Sequence, residues 1–367
     1  MADGGMNILY ITPDYGTSIS GGAVCSKRNY DTLISLFGSR SIHKLVLKEN
    51  PNNSFIEKVS KNIKKWLTSE QFDLSPLKRI DVRSYDCIFL DTSLIGHVAT
   101  LLRHKGYKGK IVCFFHNCEL ILNSQMYANR NILVKFPMIK IPRVNEQAAL
   151  QDADAVIILN DRDKKIILEH YTVKSKVFII PVSMQDKFVE DKEETIHDKP
   201  IYTFLGSYFK PNIDGICWFM DNVVPNVDIH LRVIGRGMNQ LPGKYQHINN
   251  VEILSDVPDL TVYMKEADYM LYPIFEGSGM KLKTCEALMY GKNIIGTSEA
   301  FCGYEVQDFS RIGARCDTKD EFIRAIEEVN LPHFNRISRQ LYLDKYSYEA
   351  TLRMFRHVFE ELHLVQI

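Results

Sequence analysis

Residues 273–297 read PIFEGSGMKLKTCEALMYGKNIIGT, the densest set of groups in the chain that could hold an anion. An apolar run ends at Tyr272, a loop with Gly277, Ser278 and Gly279 follows, and the spacing predicts a helix starting near Met280. Backbone N–H groups of such a loop, together with the positive end of the helix, cradle phosphate, and Lys281 adds a full charge. Lys281 and Lys283 in a first turn oppose the helix dipole, so they are badly placed for stability alone and an anion would explain them. On a 100° wheel Leu282, Cys285, Leu288 and Met289 form the buried face. Glu286 lies at its margin, where a carboxylate can accept hydrogen bonds from the hydroxyls of a ribose. The same residues also fit a plain glycine turn capped by Ser278.

Other polar residues follow apolar runs elsewhere in the chain. Gly21 and Gly22 come after NILYIT, with Arg28 in the helix beyond them. His116 ends KIVCFF, and Asn117 and Glu119 are next. Lys210, Asn212, Arg236 and Val257 stand behind runs of the second half. A glycine pair after a strand is equally well a turn, and a loop histidine is more often merely solvated.

The elements that must position these groups are legible from the rhythm of the chain. NILYIT, CIFLD, KIVCFF, AVIIL and KVFIIP alternate with helical segments, which predicts βαβ units and a parallel sheet. A polar, charge-rich stretch ends at Pro200 and reads as a linker. The rhythm then restarts with IYTFLG, HLRVIG, VEIL, YMLYPIF, KNIIGT and RIGARC. The expectation is an α/β protein of two Rossmann-like, doubly wound domains facing a cleft, at residues 1–183 and 200–345. Leu352, Phe355, Val358, Phe359 and Leu362 keep helical spacing in a final segment, 346–367. Ligands of open α/β sheets sit beyond the carboxyl ends of the strands, where the polar residues above fall.

With 367 residues, 45% of them hydrophobic and 25% charged, the chain is too long for a single small module and too apolar for disorder. Basic and acidic residues balance at 45 each, which gives no global footprint for nucleic acid. Residues 1–190 nevertheless carry 26 basic and 19 acidic side chains, net +7, and the remainder is net −7. That fits either an anionic partner of the first half or two domains of opposite sign. The eight cysteines form no CxxC pair and read as reduced thiols of a cytoplasmic protein. Residues 55–67 and 129–143 mix basic and apolar side chains, as helices on anionic lipid do, although solvated helix faces are the commoner explanation. Asp-x-Asp pairs at Asp152 with Asp154 and Asp161 with Asp163 are rejected as a metal site: the first precedes its strand and the second caps a helix.

The segment EGSG…CEAL…YGKNIIGT resembles the nucleotide-sugar site of retaining GT-B glycosyltransferases, especially glycosyltransferase family 4, in a subgroup that reads G-x-G-x-K-x-K. FLGSYFKPNIDG, HLRVIGRG and VEILSDVPDL are similar to the rest of that family's nucleotide domain, and the N-terminal motifs follow its order across nearly the whole chain. The resemblance implies transfer of a sugar from a nucleoside diphosphate sugar, guessed as a UDP-sugar, to a hydroxyl of a glycan, lipid-linked or protein-linked acceptor, with retention and without a metal or other cofactor. Surface polysaccharide or glycoconjugate synthesis is the implied setting, in the cytoplasm or at the inner membrane face.

The resemblance also implies roles. His116, Lys281 and Glu286 would be catalytic. Gly21, Gly22, Arg28, Lys210, Arg236, Val257, Gly277, Ser278, Gly279 and Met280 would contact the donor, with Lys281 first on the diphosphate and Arg236 or Lys210 second. The family spaces two glutamates with seven residues between; Glu276 and Glu286 have nine, and Ser278 occupies the usual first position. Two alternatives follow: a catalytically weak subunit scaffolding a partner transferase, or a sugar-nucleotide epimerase.

Overall fold

A computed structural model describes residues 6–16, 21–49, 69–190, 199–277 and 279–365, with only the backbone described at 133 and 134. Residues 55–67 and Ser278 lie outside this set. The chain divides into two compact units, Met1–Pro181 with Thr351–Ile367, and Val182–Ala350.

The first unit contains β1 (Ile8–Pro13), α1 (Gly21–Phe37), β2 (Ile42–Leu47), β3 (Cys87–Leu90), α2 (His97–His104), β4 (Lys110–Phe114), α3 (Glu119–Met126), α4 (Ile132–Asp152), β5 (Ala155–Ile158), α5 (Asp161–His170) and β6 (Lys176–Ile179). Its strands form a six-stranded sheet in the order β2-β1-β3-β4-β5-β6, parallel throughout. The inner strands are apolar along their whole length because helices cover both faces. Every residue of β3 and of β5 is buried.

The second unit repeats the plan with β7 (Ile201–Leu205), α6 (Lys210–Asn222), β8 (His230–Gly235), β9 (Val251–Ser255), α7 (Thr261–Glu266), β10 (Tyr269–Tyr272), α8 (Leu282–Met289), β11 (Asn293–Gly296), β12 (Gly313–Arg315), α9 (Lys319–Glu328) and α10 (Arg336–Leu341). The sheet order is β12-β11-β10-β7-β8-β9, again parallel. Phe204, Phe219, Val233, Leu271, Ile295 and Phe322 are fully buried in its core. The last helix, α11 (Tyr348–Glu361), sets Phe355 6.2 Å from the buried Phe89 and Phe359 4.9 Å from the half-buried Phe37, both in the first unit.

Each sheet has one point where the strand order reverses: between β1 and β3 in the first unit, and between β7 and β10 in the second. Loops leaving the carboxyl ends of such neighbours run in opposite directions and open a crevice. The sequence-predicted polar residues fall largely at these two places.

Candidate functional site

In the second unit, the loop after β10 turns sharply at two glycines. Gly277 has φ +147° and Gly279 φ +66°, conformations that side chains disfavour. Lys281 then adopts extended backbone as the cap residue, and α8 begins at Leu282. The helix therefore starts two residues later than the spacing predicts, because Gly279 and Lys281 are both outside helical geometry. Among the described residues, the cap residue makes no side-chain bond to its first turn. Thr284, Cys285, Ala287, Leu288 and Met289 are buried, Leu282 is half-buried, and Glu286 is half-buried as its place on the wheel requires.

The structure divides the two lysines of this turn differently from the sequence reading. Lys281 Nζ lies 2.6 Å from Glu299 Oε1 and donates to the Gly279 carbonyl at 3.1 Å. The residue expected first on the diphosphate is thus paired with Glu299. Lys283 Nζ instead donates to Asn212 Oδ1 at 2.9 Å and lies 4.7 Å from the centroid of the Phe204 ring and 5.5 Å from that of Tyr272. No carboxylate pairs with it among the described residues. Withdrawal from water, reinforced by the Lys281 charge, lowers its ammonium from the ordinary lysine range to about 7.

Asn212 ties the two sides of the switch point together, since its amide also donates to the Ser207 carbonyl at 2.9 Å behind β7. An aromatic floor, a lysine without a counter-ion and an uncapped helix end thus converge where β7 and β10 part. An unpaired cation and free N–H groups at one place are a receptor for a polyanion.

Other expected donor residues are placed less decisively. Lys210 forms an i,i+4 ion pair with Asp214 on the surface of α6. Arg236 is exposed after β8, and Val257 is half-buried after β9. Met280 and Gly279 are buried under the loop. Burial raises the Glu286 carboxyl above its ordinary value, against the opposing pull of Lys187. Glu276 is exposed and lines a cavity of about 330 Å³ with Asp214, Trp218 and Phe275.

In the first unit, α1 begins at Gly21, so Gly21 and Gly22 supply the first-turn N–H groups beyond β1. Arg28 stands in α1 beyond that turn. Its NH1 group donates to the Pro181 carbonyl at 2.7 Å, its NH2 and NE groups to Asn29 Oδ1, and its guanidinium lies over Phe114 and Phe355. These contacts brace the buried Arg28 side chain.

His116 is also turned inward, at 6% exposure. Nε2 donates to the Asp91 carbonyl at 2.5 Å, Nδ1 is buried without a hydrogen-bond partner, and the Cys25 thiol lies against the same ring. Burial opposes charge on both groups, yet the contact between them wins: the thiol is held below its ordinary value and the imidazole above. Asp91 anchors the group by accepting from Thr12 Oγ1 at 3.0 Å and Asn29 Nδ2 at 2.9 Å. The half-buried Asn117 and Glu119 are the polar groups that continue outward from His116.

In the two Asp-x-Asp pairs, Asp154 and Asp163 make framework contacts. Asp154 pairs with Arg103 at 2.6 Å and accepts from the Ile111 amide, while Asp163 bonds the capping Asn160.

Lys283 was visible in the sequence only as a second misplaced cation, and Asp91 and Cys25 carried no pattern at all. What selects them is spatial: strands 1, 3 and 4 bring Thr12, Asp91 and His116 to one edge.

Residues 199–329 match the family described as glycosyl transferases group 1. The chain has a GT-B fold, and its second unit is similar to the group 1 glycosyltransferases. Its architecture is similar to that of sucrose-phosphate synthase from Thermosynechococcus elongatus, at 13% identity and TM-score 0.67 over 98% of this chain and 99% of that one. Anabaena HepE in complex with UDP and glucose is similar at 12% identity and TM-score 0.62, over 97% and 99%. The lipopolysaccharide outer core galactosyltransferase WaaB is similar at 13% identity and TM-score 0.60, over 97% and 100%. No curated protein sequence matches the chain. The matched segment contains β7, β10, the glycine loop and both lysines.

Proposed function

We propose that the chain transfers a hexosyl group from a nucleoside diphosphate sugar, with uridine as the base, to a hydroxyl of a glycan, lipid-linked or protein-linked acceptor, with retention at the anomeric carbon. The observation that carries this reading is Lys283, a part-buried ammonium without a carboxylate at the uncapped start of α8. Glycosyl transfer is limited by departure of the diphosphate, on which negative charge grows as the glycosidic bond breaks. Lys283 and the N–H groups at Gly277, Gly279 and the α8 turn meet that charge with dipoles already oriented, and such donors are worth about 3 kcal/mol each. Glu286 accepts from the ribose hydroxyls. The first unit offers Asn117 and Glu119 to hydroxyl-bearing substrate, held in place by His116 and Asp91. Acceptor attack on the face the diphosphate leaves, with a phosphate oxygen taking the proton, needs no second carboxylate. Synthesis of a surface polysaccharide or another glycoconjugate is the setting we assign.

Isothermal titration of the purified protein with UDP tests the assignment. Binding is expected, weakened more than roughly tenfold in Lys283→Ala. An unchanged affinity in that variant removes the diphosphate from α8. Release of UDP from one member of a donor panel, lost in Glu286→Ala, separates a transferase from a scaffold subunit; a panel that binds without turnover selects the scaffold.

A further inference from the structure

The second unit holds a cavity of about 700 Å³ that the transfer reading does not use. It opens at the amino ends of the strands: Lys292, on its wall, immediately precedes β11, whereas the glycine loop leaves the carboxyl end of β10. The two places are separated by α8. Lys283 stands in the first turn of that helix, and Tyr290, the residue after its last, lines the cavity.

One wall is aromatic. Phe188 and Phe334 stack with ring centroids 5.2 Å apart at 16°, and Tyr290 meets Phe188 edge-on at 6.2 Å. Ile337 lines the same cavity and stays 39% exposed. The polar wall is held by its own contacts. The buried Lys292 ammonium donates to the Lys265 carbonyl at 2.7 Å and to His333 Nε2 at 3.0 Å, while His333 Nδ1 donates to Asp268 Oδ1 at 2.8 Å. Arg311 and Arg336 differ: both line the cavity and are exposed, and neither guanidinium has a partner among the described residues. Against the basic lining residues Lys265, Lys292, Arg311 and Arg336 stands one carboxylate, Glu190.

This lining discriminates between occupants. Apolar rings alone would accept any hydrophobic molecule, and basic groups alone any anion; their meeting in one concavity of small-molecule size selects a ligand with both parts. Aromatic rings pack best against another planar ring, offset or edge-on. A guanidinium matches a carboxylate or phosphate through two parallel hydrogen bonds.

We propose that this cavity is a second binding site, for a small aromatic oxyanion. Its ring packs against Phe188, Tyr290 and Phe334, and its carboxylate or phosphate meets Arg311 and Arg336. The inference stands on residues of the second unit away from the glycine loop and does not depend on the donor reading.

The test is a fluorescence titration of the full chain with 1-naphthyl phosphate and 1-naphthoate, which carry the two head groups, and with the neutral 1-naphthylmethanol. At least one of the anions is expected to bind, roughly tenfold or more tightly than the alcohol, and the tighter anion identifies the head group. Arg311→Glu with Arg336→Glu, and separately Ile337→Glu, should each weaken that binding roughly tenfold or more at an unchanged melting temperature. Lys283→Ala should leave it as in the wild type. Failure of both anions to bind, equal binding of the alcohol, or wild-type affinity in either the arginine or the isoleucine variant overturns the proposal. So does loss of probe binding in Lys283→Ala, which assigns the probe to the crevice at the carboxyl ends of the strands.

Discussion

Lys283 carries two opposed physical consequences, and they give a test of its role that a merely structural lysine would fail. Its folded-state value of about 7 lies below that of a lysine in the unfolded chain, about 10.4. Between these values the unfolded chain holds a proton that the folded one lacks, so this group's contribution to stability rises with pH across that window and is least favourable below pH 7. Lys283→Met is therefore expected to raise the melting temperature at pH 6 to 7, with the gain shrinking towards pH 10. The same substitution should abolish nucleotide binding, the usual exchange between stability and function. Bound diphosphate favours the ammonium, so UDP binding near pH 8 should take up a proton. Titration in buffers of different ionisation enthalpy would detect that uptake in the wild type, and equal apparent enthalpies would show that Lys283 stays out of the phosphate contact.

At the scale of elements, the short helix α3 places Asn117 and Glu119, and its start depends on a residue of another helix. Glu146, in α4, is fully buried; it accepts from the Glu119 amide at 2.6 Å, the Leu120 amide at 3.3 Å and the Tyr171 hydroxyl at 2.5 Å. It serves as the cap that α3 lacks in its own sequence, where Cys118 makes no side-chain cap bond. Burial drives its carboxyl up to about 8 in spite of those donors. The folded chain then binds the extra proton between about pH 4.5 and 8, so the stability this residue provides declines as pH rises through that range. Glu146→Gln should flatten that slope, measured by urea unfolding at pH 5 and pH 8. Glu146→Ala should cost on the order of 3 kcal/mol, because two amides and a hydroxyl lose their acceptor. A wild type whose stability is level across the interval would contradict the assignment.

For the whole molecule, the return of the chain end to the first unit is a packing fact with a measurable signature. Phe355 and Phe359 are fully buried, although they lie more than 260 residues from Phe89 and Phe37 in sequence. Truncating either to alanine is expected to cost about 3–5 kcal/mol. Hydrogen exchange should localise the loss to amides of β1 and β3, while those of β7 and β10 keep their protection. UDP at about 100 times its dissociation constant should protect the second set by about 2.7 kcal/mol in the same experiment. Loss of protection in β7 and β10 on truncation of Phe355 would mean that the last helix supports both cores.

The order of apolar runs was enough to predict two parallel sheets, because strands covered on both faces must be apolar throughout and must be joined by helices. The glycine loop before α8 was equally legible, since positive φ demands residue types that stand out in any sequence. The charge state of the site was not. Lys281 and Lys283 differ by two positions on one turn, and only packing sends one to Glu299 and the other over Phe204 towards Asn212. Arg28 and His116 have the residue types and spacing of ligand contacts, yet the fold turns them inward onto Pro181 and Asp91. A sequence records which polar groups stand near a strand end; whether a group meets a ligand or a buried carbonyl depends on partners 25 to more than 150 residues away, which only the tertiary structure brings within hydrogen-bonding distance.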